Sequence, residues 1–182
     1  VDPFVLLGLS RRPLLSDDEI GSAYRKLAGE SHPDQSGGDA GRFRELGEAA
    51  AILHDPARRL RQLSGSSSGS LLPPEAAQLF PRIATILQQA DNLIEKQVAT
   101  SNPLAKALLL APLKNLSADL DSTLNQLQEW RILLDQELAE IDVRWPEHDP
   151  NPISLLADSY AYANRWESQL RERRLAMESL SG

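Results

Sequence analysis

Cysteine is absent from this 182-residue chain, which removes disulfides, thiolate metal sites, cysteine nucleophiles and thiolate ligation of iron–sulfur clusters together. No apolar run approaches the roughly 18 to 20 residues that a membrane-spanning helix needs, and the N-terminal residues lack the basic-then-apolar order of a secretory signal. These two gaps read as a soluble, cytoplasmic chain with no membrane partner. Positive charge is also short: 19 Lys and Arg stand against 26 Asp and Glu, a net of −7. Coating a phosphate backbone takes a basic face, so a nucleic-acid partner is not expected. Strand-like alternation and repeats of fixed period are missing as well, which leaves helices as the only periodic signal.

The acidity is uneven. Residues 1–63 hold nine basic against ten acidic residues, whereas the remainder holds ten against sixteen. The two parts differ in character before any element is assigned.

In the first part, Asp2 and Pro3 open a short apolar helix that ends near Gly8, with the aspartate as N-cap and the proline at the first helical position. Ser16-Asp17-Asp18-Glu19 has the form of a capping box. The helix it starts places Ile20, Ala23, Tyr24, Leu27 and Ala28 on one face and leaves Arg25 and Lys26 pointing elsewhere. Pro33 disfavours helical geometry at His32 and ends the segment. A second helix from about Asp39 carries Phe43, Leu46, Ala50 and Leu53. Asp55 and Pro56 then restart a short basic helix with Arg58, Arg59 and Arg61.

Ser64 to Ser70 contains only Ser and Gly, the composition of a flexible linker. The expected division is therefore 1–63, a linker at 64–70, and a second domain at 71–182. In that domain Pro73-Pro74 opens a turn, and Pro81 starts a helix with Ile83, Ile86, Leu87, Ala90, Ile94 and Val98 on its stripe. A long apolar series runs from Leu104 and Leu108 to Ile141, as one helix or as two broken at Pro112. After a proline-rich loop, Asn151 caps a last helix. Three long amphipathic helices with short connections imply an antiparallel bundle. The fold class expected is all-α.

The order assembled around Ser31-His32-Pro33-Asp34-Gln35 is short helix, capped helix, His-Pro-Asp loop, helix, then Asp55-Pro56-Ala57-Arg58-Arg59. With Asp2-Pro3-Phe4-Val5-Leu6-Leu7-Gly8-Leu9, Ala23-Tyr24-Arg25-Lys26-Leu27-Ala28 and Phe43-Arg44-Glu45-Leu46 in register, residues 2–63 resemble the J-domain of the DnaJ/Hsp40 co-chaperones. The resemblance implies a helical hairpin over about 17–30 and 41–54 with the tripeptide at its tip. It also implies that His32, Pro33, Asp34, Arg25 and Lys26 contact an Hsp70 of the DnaK type and stimulate its ATPase. The chain itself would then be no enzyme and need no cofactor, since ATP belongs to the partner. Gly21, Ser22, Gly29, Glu30 and Gln35 stand where such domains commonly carry basic residues, which implies a weaker or differently tuned electrostatic contact, or a dedicated Hsp70 partner.

Physical chemistry supports those assignments. Asp34 is suited to a charge-assisted hydrogen bond with a partner arginine, Pro33 sets the backbone before binding, and His32 offers a donor and a stacking face. An ordinary interhelical turn also favours Pro and Asp, and Arg25 and Lys26 by themselves also fit a solvated helix face. Tyr24, Leu27, Phe43, Leu46 and Leu53 read as core. His54 and His148 lack an orienting third group for acid–base work, and the tryptophans Trp130, Trp145 and Trp166 read as bundle packing.

A J-domain followed by a helical domain is similar in layout to HscB/Hsc20, the co-chaperone of iron–sulfur cluster assembly. The expected function is thus an Hsp70 co-chaperone whose C-terminal helices present a protein client. An HscB-like role, and a structural or oligomerising role for a J-like domain without Hsp70 activation, are the alternatives.

Overall fold

The computed structural model describes residues 1–31, 39–65, 72–146 and 150–181. Among these there are seven helices and no strand, as the helical periodicity predicts. They divide into two compact units, one built from residues 1–71 and 134–160, the other from 72–133 and 161–182.

In the first unit, α1 (Pro3–Leu7) begins where Asp2 Oδ1 accepts from the Phe4 N–H at 2.9 Å. It stops at Gly8, whose φ of 66° lies in the left-handed region that a side chain disfavours. Its successor, α2 (Asp17–Ser31), starts with the capping box in place: the Ser16 N–H donates to Glu19 Oε2 at 2.8 Å and the Glu19 N–H to Ser16 Oγ at 3.2 Å. Asp39 caps α3 (Ala40–His54) by accepting from the N–H groups of Gly41 and Arg42. Asp55 caps α4 (Pro56–Ser64) through Ala57 and Arg58. Each expected cap in this unit is therefore a hydrogen bond.

α1, α2 and α4 all pack on α3. The core between them is Phe4, Leu7, Leu15, Ile20, Leu46, Ala49, Ala50 and Leu53, with Tyr24 and Leu27 half-buried at its edge. Burying a leucine such as Leu53 completely stabilises by about 2 kcal/mol, so these few side chains set the hairpin geometry. Phe43 is half-buried too, its ring 6.4 Å from that of Tyr24.

In the second unit, α5 (Pro74–Ala99) is one helix with Pro81 inside it, so the expected start at Pro81 is corrected. Proline costs a helix one hydrogen bond, and burial of Ala76, Ile83, Ile86 and Ala90 along the same face offsets that loss. The stripe also ends differently. Gln97 is buried and Val98 is exposed, because the inward face advances in steps of three and four from Ile83 through Ala90.

α6 (Pro103–Val143) is likewise continuous through Pro112. Leu113, Leu116, Leu120 and Leu127 are buried, while Leu104 and Leu108, read as part of the same stripe, are exposed. α7 (Pro150–Ser181) begins at Pro150, so Asn151 lies inside the helix rather than capping it. His148 lies outside the described residues, as do Ser66 to Ser70 of the Ser/Gly run.

Ion pairs and hydrogen bonds give the helix directions in this unit. Arg82 of α5 donates to Ser122 and Thr123 of α6, and further along α5 Gln89 and Leu93 face Pro112 and Leu116 across a shallow cavity. α5 and α6 are antiparallel. Arg131 of α6 reaches Asn164 and Glu167 of α7, and Asp121 of α6 accepts from Arg174, so these two are antiparallel as well. Trp130 and Trp166 pack at 6.2 Å between them. The unit is the expected three-helix arrangement.

Candidate functional site

The site begins with two helix ends. Ser31 is the last residue of α2 and Asp39 is the N-cap of α3, and the Asp39 N–H donates to the Ser31 carbonyl at 3.2 Å. At the other end of the hairpin, His54 Nδ1 and Asp17 Oδ1 lie 2.8 Å apart. α2 and α3 are thus antiparallel and tied at both ends. His32, Pro33 and Asp34, with Gln35, lie outside the described residues, between the two that this backbone hydrogen bond joins.

Arg25 and Lys26 are both exposed on α2, on the side away from Ile20 and Ala28, which are buried. Arg25 Nη2 donates to Ser22 Oγ at 3.1 Å. Its guanidinium lies over Gly21, 3.1 Å from where a Cβ there would sit. Two of the residues that depart from the common basic pattern, Gly21 and Ser22, therefore give Arg25 its resting place. Gly29 and Glu30 are exposed on the last turn of the same helix.

Behind the hairpin lies a polar framework that periodicity alone does not disclose. Arg59, one of the three arginines of the short basic helix, is buried at 3% exposure. Its Nε donates to the Pro13 carbonyl at 2.7 Å and its Nη1 to the Leu53 carbonyl. Burial pushes its pKa down from the usual arginine value, opposed by Tyr160, Asp17, Asp55 and Asp142 around it. This guanidinium joins the α1–α2 connection to the end of α3.

Residues 134–160 belong to the same unit and close over that connection. Asp142 accepts from Arg12 Nε at 3.1 Å, from Arg12 Nη2, and from the Leu14 N–H at 2.9 Å. Burial alone would raise the Asp142 pKa, but the Arg12 and Leu14 hydrogen bonds and the cations Arg12 and Arg59 outweigh it, holding the carboxyl below its ordinary value. Arg61 pairs with Asp158 at 3.1 Å, and the Trp145 indole donates to the Arg11 carbonyl at 2.7 Å. Tyr160, fully buried, donates its hydroxyl to Asp135 at 2.6 Å. Residue spacing offers one retrospective signal for this: an arginine run, Arg58 to Arg61, directly after a helix cap.

Among the described residues no three His, Cys, Asp or Glu side chains converge as metal ligands, and no helix is long and apolar enough to cross a membrane.

Residues 2–61 match the model of the DnaJ domain. Over 61 residues the chain is 51% identical to the chaperone protein DnaJ of Deinococcus proteolyticus, a match covering 32% of this chain and 19% of that protein. The chaperone protein DnaJ of Caulobacter vibrioides is 48% identical over 63 residues, 32% of this chain and 15% of the relative. A DnaJ homolog subfamily C member 7 homolog of Schizosaccharomyces pombe is 46% identical over 67 residues, 35% of this chain and 14% of the relative. The chain thus spans less than a fifth of the length of each of these relatives, and the likeness falls on α1 to α4.

Proposed function

We propose that this chain is a co-chaperone that stimulates the ATPase of a DnaK-type Hsp70 through His32, Pro33 and Asp34, with Arg25 and Lys26 steering the encounter. The observation that carries this reading is the DnaJ-domain match over residues 2–61, on a hairpin whose Ser31 and Asp39 are hydrogen-bonded directly across the tripeptide. Asp34 supplies a carboxylate for a partner guanidinium, a pairing whose loss strands a desolvated cation on the other protein. Among the described residues, the hydrogen bond that Arg25 gives up when it turns to a partner is the one to the exposed Ser22 hydroxyl, a modest cost.

In this reading the chain performs no bond chemistry of its own, and the ATP and its metal stay with the Hsp70. Its helices beyond residue 71 present a protein client to the chaperone, in the cytoplasm. The exposed apolar side chains of that part, Phe80 and Leu175 among them, suit contact with an incompletely folded chain.

The deciding measurement is single-turnover ATP hydrolysis by Hsp70s from the same source, with and without the full chain. Stimulation by the wild type that disappears in His32→Gln and in Asp34→Asn, with helical circular dichroism unchanged, is the expected result. Absence of stimulation by the wild type over that panel overturns the proposal.

A further inference from the structure

α5 and α6 face each other across a cavity of about 390 Å³. α5 lines it with Gln89, Asn92, Leu93 and Lys96, at i, i+3, i+4 and i+7. α6 repeats the spacing from Pro112, with the same Asn-Leu pair at Asn115 and Leu116 and with Asp119 at the end. The helices are antiparallel, in the register set by Arg82 on Ser122 and Thr123. The two Asn-Leu pairs therefore lie opposite each other in mid-cavity, with Asp119 toward the Gln89 end and Lys96 toward the Pro112 end.

Leu116 is buried and Leu93 half-buried, so the leucines make the floor, and the exposed carboxamides of Asn92 and Asn115 make the two walls. Nearby carboxylates of the same helices are tied to α7, Asp91 by Arg173 and Asp121 by Arg174. Among the described residues, by contrast, the side chains of Gln89, Asn92, Lys96, Asn115 and Asp119 make no hydrogen bond and no ion pair.

One ammonium and one carboxylate cancel, so the cavity selects neither an anion nor a cation. What its walls offer is carboxamides, each a donor and an acceptor at once. A peptide group offers the same two functions. In an extended chain successive residues turn their N–H and C=O to opposite sides and their side chains alternately to the two faces. One residue then meets Asn92 and the next meets Asn115, while a side chain of the pair rests on the leucines. A helix or a folded surface uses those backbone groups internally and has none to give. From Gln89 to Lys96 the cavity runs about 10 Å along the helix axis, the rise of about three extended residues.

We propose that this cavity binds a three-residue extended segment of a protein client, held by its backbone through Asn92 and Asn115. An aliphatic side chain of the segment lies on Leu93 and Leu116, and an acidic and a basic neighbour reach Lys96 and Asp119. This names the client site of the co-chaperone reading and rests on that reading for its purpose, while its chemistry is separate from the Hsp70 contact.

The probe is the fluorescein-labelled peptide Gly-Ser-Arg-Ala-Leu-Ala-Glu-Ser-Gly, titrated with the full chain and read by anisotropy. Saturable binding below about 1 mM is expected. Methylating the backbone nitrogens of its leucine and of the alanine that follows removes a donor to each wall and should weaken binding at least about tenfold. Asn92→Leu with Asn115→Leu keeps the side-chain size and removes both carboxamides, and should weaken binding by a similar factor with helical circular dichroism unchanged. Tighter binding by that variant, the behaviour of a merely apolar groove, overturns the proposal. Equal affinity for the methylated peptide overturns it too, as does the absence of saturable binding. Hsp70 ATPase stimulation by the same two proteins should be equal; its absence from both strikes the co-chaperone reading, and the peptide titration still decides the cavity.

Discussion

The backbone N–H of Asp39 donates to the Ser31 carbonyl at 3.2 Å, while the Asp39 side chain accepts from Gly41 and Arg42. One residue therefore both closes the tip of the α2–α3 hairpin and starts α3. The side chain can be removed without touching the closing bond. Asp39→Ala should cost about 1 kcal/mol in urea denaturation, and Asp39→Asn should recover most of it, since an asparagine oxygen also accepts at an N-cap. Equal loss in both variants would show that the carboxylate charge, and not the cap, is what counts.

Arg59 holds two carbonyls from different segments in a buried place. Replacing it by Met keeps much of the volume and strands both acceptors, so Arg59→Met should lose about 3 kcal/mol of stability. Hydrogen exchange should rise first at residues 10–16 and at the end of α3. A cost below about 0.5 kcal/mol would mean that water replaces the guanidinium without penalty.

Asp142 gives the unit an acid-sensitive joint. Its folded pKa lies below the ordinary value, so its contribution is complete above about pH 4 and disappears as pH falls through the lowered pKa. Asp142→Asn should be less stable at pH 7 by about 1–2 kcal/mol, a modest figure because the Arg12 side chain is 43% exposed and solvent screens the pair. Below pH 4 the thermal midpoints of the two proteins should converge. Parallel curves from pH 7 to pH 3 would remove Asp142 from the acid response.

If the proposed Hsp70 contact holds, Arg25→Ala with Lys26→Ala should slow association roughly tenfold at low salt and leave dissociation nearly unchanged. Stopped-flow binding at several ionic strengths reads both rates. If dissociation accelerates instead, the two side chains are docked rather than steering.

Much of the first unit is legible in its residues because its signals are local. Asp2, Ser16 with Glu19, Asp39 and Asp55 each mark a helix start within three residues of themselves, and each is a hydrogen bond in the structure. Pro81 and Pro112 mislead for the complementary reason. Proline weakens a helix locally, and whether the helix continues depends on how much apolar surface is buried on either side, which no local pattern states. Leu104 and Leu108 share one face, but the five-residue step from Leu108 to Leu113 turns the series, and it is Leu113 that is buried while the first two face outward. Hydrophobic spacing tells which residues share a face and is silent on how many faces are covered.

By itself the sequence determined the all-α class and the helix starts of residues 1–64, because capping and periodicity act within one or two helical turns. The tertiary structure alone decided that Arg59 is core rather than surface, that Asp142 reaches Arg12 across 130 residues of chain, and that Leu104 and Leu108 of α6 stay exposed. Those outcomes depend on which segments meet, and burial and charge pairing over such separations follow from packing rather than from neighbours in the chain.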